Sequence, residues 1–180
     1  ILYNQNDVIK KDVDNKLEIV FNKNRNCAAQ KTTEWHKQRY KVITASVAWK
    51  ALGTQSQKNA LIYSKCKPLE IRDNFIGFKS AMHWGQKYEP ISQQYYEYIN
   101  QVCVSEYGCI PHTHHTFLGA SPDGIVTTKT SHLYGRMIEI KNIVNRVING
   151  IPKKEYWIQM QMQMECCDLE ECDFLECRFN

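Results

Sequence analysis

The sequence has no apolar run that approaches the length of a membrane-spanning helix, and it does not open with a signal-peptide pattern. These absences argue against a membrane-spanning protein. The sequence also has no internal repeat and no low-complexity tract, which argues against a repeat architecture. The first residue is Ile1 and not Met, which suggests a fragment or an excised domain.

What is present is an ordinary globular composition. The chain has 180 residues, which suits one domain with a hydrophobic core, and its hydrophobic share of 43% is typical of such a domain. Residues 1–29 are polar and rich in Asn and Lys, with one short apolar run at Leu17–Phe21. We therefore expect a poorly determined polar lead-in over residues 1–29, containing one short element, and a single domain over residues 30–180.

Eight cysteines are present, an even number that could form disulfides. Several of them lie inside apolar runs with a helix-like or strand-like pattern. This placement favours reduced and mostly buried thiols. We therefore expect an intracellular protein in a reducing compartment, the cytoplasm of a bacterium or the cytoplasm or nucleus of a host cell.

Charge is unevenly distributed, although the net charge is only +4. Residues 23–87 contain 13 Lys and Arg against three Asp and Glu, whereas residues 155–180 contain seven Asp and Glu and one Arg. Two solvated faces of opposite sign would explain this pattern. The alternative is a basic surface that binds a polyanion, and charge alone does not choose between the two.

Hydrophobic spacing and helix-breaking residues predict several helices and a group of strands. The predicted helices are residues 32–39, 44–52, 57–66, 78–100 and 153–167, and the predicted strands are residues 102–105, 108–111, 115–119, 124–128, 136–141 and 171–179. The fourth and fifth strands should form an antiparallel hairpin. Pro90 should kink the longest helix or begin a new one. This order predicts an α/β protein whose sheet is flanked by helices.

A candidate anion site lies at the start of the second predicted helix. Thr44 and Ser46 supply hydroxyl groups there, and Arg39 lies a few residues earlier. Free backbone N–H groups beside a guanidinium are suited to binding a phosphate. The simpler interpretation of Arg39 is a lone surface arginine.

Two carboxylates and a lysine form the strongest chemical pattern. Glu139 and Lys141 are two residues apart on a predicted strand, so they share a face, while Ile138 and Ile140 face the core. This pattern alone also fits a surface salt bridge. The hairpin should bring Asp123, at the head of the paired strand, to the same end of the sheet. Adjacent carboxylates repel unless a cation neutralises them, so a divalent metal site for phosphodiester hydrolysis is predicted.

Six segments resemble, in order, the motifs of the phage lambda exonuclease and YqaJ-like viral recombinase family of PD-(D/E)xK nucleases. These segments are Trp35-His36-Lys37-Gln38-Arg39, Val42-Ile43-Thr44-Ala45-Ser46, Trp84-Gly85-Gln86-Lys87-Tyr88-Glu89, Ser121-Pro122-Asp123-Gly124, Glu139-Ile140-Lys141 and Tyr156-Trp157-Ile158-Gln159-Met160-Gln161. Each is weak alone, but all six in order over residues 30–180 are specific. The resemblance implies a restriction-endonuclease-like fold with a mixed central sheet flanked by helices.

The resemblance assigns metal and catalytic roles to five residues. Asp123, Glu139 and Glu89 would bind Mg²⁺, or Mn²⁺, through carboxylate oxygens, and the carbonyl of Ile140 would add another oxygen ligand. Lys141 would position or deprotonate the attacking water. Glu89 could instead be a charge beside the proline of its helix.

The resemblance also implies that a glutamine of the last predicted helix reaches into the site as a catalytic residue. The spacing from Tyr156 favours Gln159 for this role. Gln161 and Gln163 are competitors.

A pocket for a 5′-terminal phosphate is implied as well, formed by Arg39, Ser46 and Ser121. The implied function is a metal-dependent exonuclease that degrades duplex DNA from a 5′-phosphorylated end, in recombination or DNA end processing. The implied partners are double-stranded DNA ends, a single-strand annealing protein and two further copies in a homotrimer, without a membrane. The alternatives are a structure-specific or nicking endonuclease on the same fold, or a catalytically decayed DNA-binding module.

Two other clusters carry less weight. His112, His114 and His115 lack the paired ligands of a zinc site. Some relatives of this superfamily hold an iron–sulfur cluster with one early and three late cysteines, and Cys27 could be the early one. The late cysteines, at 166, 167, 172 and 177, lack the expected Cys-x-x-Cys spacing, so we do not expect a cluster.

Overall fold

The computed structural model describes residues 5–69 and 80–179. Within them the α-helices are α1 (Gln5–Asn24), α2 (Thr33–Tyr40), α3 (Ala45–Ala48), α4 (Gln55–Cys66), α5 (Ala81–Asn100) and α6 (Lys154–Cys167). The strands are β1 (Ile43–Thr44), β2 (Val104–Ser105), β3 (Ile110–Pro111), β4 (Leu118–Ala120), β5 (Gly124–Val126), β6 (Met137–Asn142) and β7 (Cys172–Cys177). The helices and strands predicted from residue 80 onward are all present, with shorter bounds in most cases.

Local capping signals explain where several helices begin. The Thr32 side chain accepts a hydrogen bond from the N–H of Trp35, and Thr54 and Gln57 form a reciprocal capping box at the start of α4. The helix predicted over residues 44–52 is shorter than expected. It consists of the four residues of α3 and a 3₁₀ turn, and its N-terminal threonine makes no side-chain capping bond.

The longest helix of the second half, α5, passes through Pro90 without a break. Ser80 caps it by accepting a hydrogen bond from the N–H of His83. Of the two expectations for Pro90, a kink or a new helix, the second is wrong, because the residues before and after Pro90 belong to one helix. The predicted start at Phe78 lies outside the described residues.

The N-terminal helix α1 corrects the expectation of one short element before residue 30. It runs for 20 residues, and its Leu17 and Val20 are buried in a core cluster with Ile110, Ile125 and Met137. The polar composition hid this helix because, among its described side chains, only Leu17 and Val20 are buried and Val13 is partly buried against the same cluster. The segment before residue 30 thus contributes to the core of the fold.

Two small sheets meet at the candidate site. The first has the strand order β1-β4-β3, and the second has the order β2-β5-β6-β7. In the second sheet β5 and β6 are the predicted antiparallel hairpin, and β6 and β7 are parallel. The predicted mixed sheet is therefore confirmed, with three additional strands in a separate sheet.

Both faces of the hairpin are covered, which decides how deeply the catalytic strand is buried. Ile125 and Met137 pack on the side of α1, whereas Val126 and Ile138 pack with Tyr96 of α5 on the other side. The strand β6 is consequently buried over its first four residues. Any polar group on this part of β6 must find its partners inside the protein.

No helix in residues 5–69 and 80–179 is both long and apolar enough to cross a membrane. All eight cysteines fall within the described part of the chain, and each is a free thiol.

Candidate active site

The hairpin brings the two central carboxylates together. Gly124 pairs with Ile138 across the two antiparallel strands, so the preceding Asp123 comes opposite Glu139. The Asp123 Oδ2 accepts a hydrogen bond of 2.7 Å from the backbone N–H of Ile140. Lys141 donates a hydrogen bond to Oε1 of Glu139. The sequence prediction that these residues meet at one end of the sheet is reproduced by this geometry.

Burial and mutual repulsion make the charged form of this group of carboxylates unfavourable. The pKa of Asp123 is raised well above its ordinary value, first by burial and then by the negative charge of Glu139, while Lys141 and the backbone N–H of Ile140 oppose the shift. Burial lowers the pKa of Lys141, but the two carboxylates outweigh burial and the net shift is upward. The site therefore favours a positive charge between its carboxylates.

Glu139 is fully buried, although it is on the opposite face of β6 from Ile138 and Ile140. The reason is that α6 covers this face, with Gln163 donating from Nε2 to Oε2 of Glu139 over 2.8 Å. The two oxygens of Glu139 thus have different partners, Lys141 on one and Gln163 on the other.

Gln163 is the helix glutamine that contacts the site, whereas the sequence favoured Gln159. Gln163 is fully buried, while Gln159 is half-buried one turn earlier and its side chain makes no hydrogen bond to any described residue. Gln161 lies on another face, in an apolar groove with Ile43 and Leu118. Positions 159 and 163 share a helix face, so spacing alone could not separate them.

Glu89 approaches the site from α5 and is held by a lysine. Its Oε1 accepts a hydrogen bond of 2.9 Å from the side chain of Lys31, a residue that the sequence analysis did not single out. The charge of Glu89 contributes, as the smallest cause, to the raised pKa of Asp123. Among the described residues, no three Asp, Glu, His or Cys side chains form a ready-made metal site.

The donor set nevertheless fits a hard divalent cation. Asp123 and Glu139 are adjacent buried carboxylates, and their single nearby ammonium group in the described part of the chain, that of Lys141, bonds to Glu139. Next to them, Oε1 of Gln163 is a buried acceptor without a hydrogen-bond partner among the described residues. Clustered carboxylate and amide oxygens are ligands that suit Mg²⁺ and Mn²⁺.

The three residues predicted for an anion pocket also converge. Arg39 donates from one terminal nitrogen to the hydroxyl of Ser121 over 3.2 Å and from the other to the hydroxyl of Ser46 over 3.0 Å. Thr44 adds its hydroxyl 3.2 Å from that of Ser46. Arg39 comes from α2, Ser46 from α3 and Ser121 from the turn after β4, so three separate elements build this pocket.

Arg39 is a half-buried cation. Burial lowers its pKa, and the charges of Cys109, Asp123 and Glu139 act in the opposite direction. Within the described parts of the chain, no carboxylate forms an ion pair with it. A guanidinium remains charged even when its pKa is lowered, so the pocket favours an anion.

Trp35 also forms part of this pocket. Its indole N–H donates to the Ser121 hydroxyl over 3.2 Å, and the Arg39 guanidinium lies 4.3 Å from the centre of its ring. The indole therefore fixes both partners of the pocket. Trp35 and Arg39 are four positions apart on one helix, and this spacing could have indicated the contact.

The histidine and cysteine clusters have structural explanations. Nδ1 of the buried His112 accepts hydrogen bonds from the backbone N–H groups of His114 and His115, which folds the loop between β3 and β4. Cys27 donates from its thiol to the carbonyl of Cys109. In the described residues neither cluster has the arrangement of a metal site.

Comparisons with known proteins show which family the chain belongs to. The YqaJ-like viral recombinase domain model matches residues 34–170. The uncharacterized protein R354 of Acanthamoeba polyphaga mimivirus is 35% identical over 166 residues, which are 84% of this chain and 29% of that protein. The chain therefore spans less than a third of the length of this curated relative.

Solved structures show the same fold. The alkaline exonuclease LHK-Exo from Laribacter hongkongensis superposes with a TM-score of 0.66 and 32% identity, covering 82% of this chain and 74% of that one. LHK-Exo in complex with dAMP superposes with a TM-score of 0.61 and 33% identity, covering 81% and 73%. The chain belongs to the YqaJ-like viral recombinase domain family, and its fold is that of an alkaline exonuclease of the PD-(D/E)xK type.

Proposed function

We propose that this domain is a metal-dependent exonuclease that removes nucleotides from 5′-phosphorylated ends of duplex DNA. The observation that carries the proposal is the position of Ser121, two residues before Asp123. Its hydroxyl belongs to the Arg39 pocket, while Asp123 belongs to the carboxylate pair. One short turn thus joins an anion pocket to a hydrolytic site.

The phosphate of the DNA end is the natural occupant of the Arg39 pocket. A guanidinium that already donates to two hydroxyls can turn both of its terminal nitrogens toward two phosphate oxygens. Burial excludes water and strengthens this attraction. A 5′-hydroxyl end offers no charge there, so recognition depends on the phosphate.

The neighbouring carboxylates supply the hydrolytic half. Asp123 and Glu139 would hold Mg²⁺ or Mn²⁺ together with Glu89 and the carbonyl of Ile140, and the bound ion would supply a nucleophilic water and stabilise the phosphorane-like transition state. Lys141 lies against Glu139, where its ammonium group can donate to the attacking oxygen. To bind the ion, the Glu89 carboxylate would have to give up its hydrogen bond with Lys31.

Gln159, the glutamine that the sequence favoured, remains part of this proposal. It lies one turn before Gln163 on the same face of α6 and can contact DNA at the entrance of the site. We further propose a role in recombination or DNA end processing, with a single-strand annealing protein as partner and a homotrimer as the assembly. These partners are what the resemblance to the lambda exonuclease and YqaJ-like family implies.

The test compares linear duplexes that carry either a 5′-phosphate or a 5′-hydroxyl, incubated with the wild-type chain and Mg²⁺. Lys141→Ala should reduce nucleotide release by about 10² to 10⁴-fold, because it removes a group that acts on the attacking water, while duplex binding survives. Arg39→Ala should reduce the preference for the phosphorylated end by at least about tenfold.

Covalently closed circular DNA is the control substrate. An exonuclease leaves it intact, whereas cutting of circles would establish the endonuclease alternative. Salt-sensitive DNA binding without any metal-dependent turnover would establish the decayed binding module. Equal activity of the wild type and Lys141→Ala would rule out the catalytic role of this lysine.

A further inference from the structure

We infer that Gln163 is a positioning residue that fixes Glu139 and links it to the DNA-end pocket. The inference rests on the proposed function, which it deepens. Gln163 belongs to α6, the helix that closes the sheet face on which Glu139 and Lys141 lie. It has no exposed surface, so its effect must pass through its neighbours and not through DNA.

The hydrogen bonds of Glu139 show what Gln163 does. Its Nε2 donates to Oε2 of Glu139 over 2.8 Å, and Lys141 donates to Oε1. With one donor on each oxygen, the plane of the carboxylate cannot rotate freely. Removing the amide would free Oε2 and allow rotation about the last side-chain bond, which is otherwise a soft motion.

Gln163 also reaches the turn that carries the end pocket. Its Nε2 lies 3.5 Å from the carbonyl oxygen of Ser121, whose hydroxyl accepts hydrogen bonds from Arg39 and Trp35. One amide group therefore lies between the catalytic carboxylate and the backbone of the phosphate pocket. A shift of Ser121 when a phosphate binds would be transmitted to Glu139 through this amide.

Fold stability alone does not explain this glutamine, although its Nε2 gives the buried Glu139 a hydrogen-bond partner. Its Oε1 is buried and has no partner among the described residues, and an unpaired buried acceptor destabilises a fold. The neighbouring positions Met160, Met162 and Met164 show that this helix accepts methionine, whose volume is close to that of glutamine. A buried polar group kept at such a site is typical of a residue that orients a metal ligand.

The experiment uses Gln163→Met, which keeps the volume and removes the donor, and Gln163→Leu as a second variant. Gln161→Met is the matched control, because Gln161 lies on the same helix but faces the apolar groove. Mn²⁺ binding is measured by electron paramagnetic resonance, thermal unfolding is measured in EDTA, and nucleotide release is measured at saturating Mg²⁺.

Gln163→Met and Gln163→Leu should bind Mn²⁺ about 10- to 100-fold more weakly than the wild type, with turnover reduced to a similar extent. Their unfolding temperatures in EDTA should fall, because Oε2 of the buried Glu139 loses its donor, and Gln161→Met should change none of the three readouts. Mn²⁺ affinity within twofold of the wild type in both variants overturns the inference. Such an unchanged affinity together with a lower unfolding temperature would assign Gln163 to fold support alone. A wild-type chain that binds Mn²⁺ but releases no nucleotide would refute the proposed function alone, since the Mn²⁺ comparison needs no turnover.

Discussion

At the scale of single residues, the site combines charges that the fold alone would not favour. Asp123 is buried beside Glu139, and this raises its pKa well above 3.8. Arg39 is half-buried without a carboxylate partner among the described residues. The positive charge of Arg39 and the negative charges of the carboxylate pair therefore lie in neighbouring pockets without forming an ion pair. Such unpaired charges reduce stability, and they are common where binding or catalysis uses them.

We expect Asp123→Asn to stabilise the chain in EDTA and to abolish nucleotide release. Below pH 3.8 the carboxyl group is protonated in both the folded and the unfolded chain, so it has no effect on the free energy of unfolding. As pH rises, the unfolded chain loses this proton first, and the wild type loses stability until the pH passes the raised pKa. The gain from Asp123→Asn should therefore be larger at pH 8 than at pH 4.

Thermal unfolding at these two pH values measures this effect, with each kcal/mol shifting the midpoint by about 2–4 °C. The asparagine keeps an oxygen that can accept from the N–H of Ile140, so that hydrogen bond is controlled for. A variant that is less stable than the wild type at pH 8 would show that Asp123 supports the fold more than it strains it.

At the scale of secondary-structure elements, the β5–β6 hairpin places both carboxylates, and its close packing against β2 requires a glycine. A Cβ added to Gly124 would lie 2.2 Å from Cγ1 of Val104 and 3.2 Å from Cδ1 of Ile138. The residue after Asp123 therefore cannot carry a side chain without moving β2 or β5. A shift of β5 would carry Asp123 away from Glu139.

Gly124→Ala should lower the free energy of unfolding by about 1–3 kcal/mol, as overpacking of a core does. Val104→Ala in the same chain should recover part of this loss, because it removes the clashing methyl groups. Gly85→Ala in α5 is the control: an added Cβ meets nothing within 4 Å there, and helix propensity should raise stability by roughly 0.5–1 kcal/mol. Urea unfolding measures all four chains. Equal changes at the two glycines would contradict the steric explanation.

The hairpin was predictable and the choice of helix residue was not, for physical reasons. Alternation along β6 and a turn between two strands are local patterns, so the meeting of Asp123 with Glu139 followed from the sequence. The choice between Gln159 and Gln163 depends on where α6 lies along the sheet, and tertiary packing decides that position. The contact between Lys31 and Glu89 joins residues 58 positions apart, and no local pattern encodes it.

At the scale of the whole molecule, α1 closes one side of the core. Its buried Leu17 and Val20 pack against residues of both sheets, including Ile110 and Ile125. Asn24 accepts a hydrogen bond from the N–H of Gly108, which fastens the end of the helix near β3. The polar sequence of this segment predicted a lead-in, because the positions that pack on the core, Val13, Leu17 and Val20, are few among the polar residues of this 20-residue helix.

Leu17→Ala should therefore lower the free energy of unfolding by about 2–5 kcal/mol, the usual range for truncating a buried leucine. Ile19→Ala is the matched control on the same helix, since Ile19 is 52% exposed and its truncation should have little effect. Denaturant unfolding of both variants measures the difference. A similar small change in each would mean that α1 is not part of the cooperative fold.

The turn Ser121-Pro122-Asp123 joins the two sheets and has a consequence for the product of the reaction. Pro122 is fully buried, and the Ser121 hydroxyl and the Asp123 carboxylate are both held by hydrogen bonds. Under the proposed function, the separation between the DNA end in the Arg39 pocket and the bond that is hydrolysed would be a fixed length of protein backbone. With this separation fixed, each cycle of hydrolysis would release a DNA fragment of the same length, whatever the base sequence.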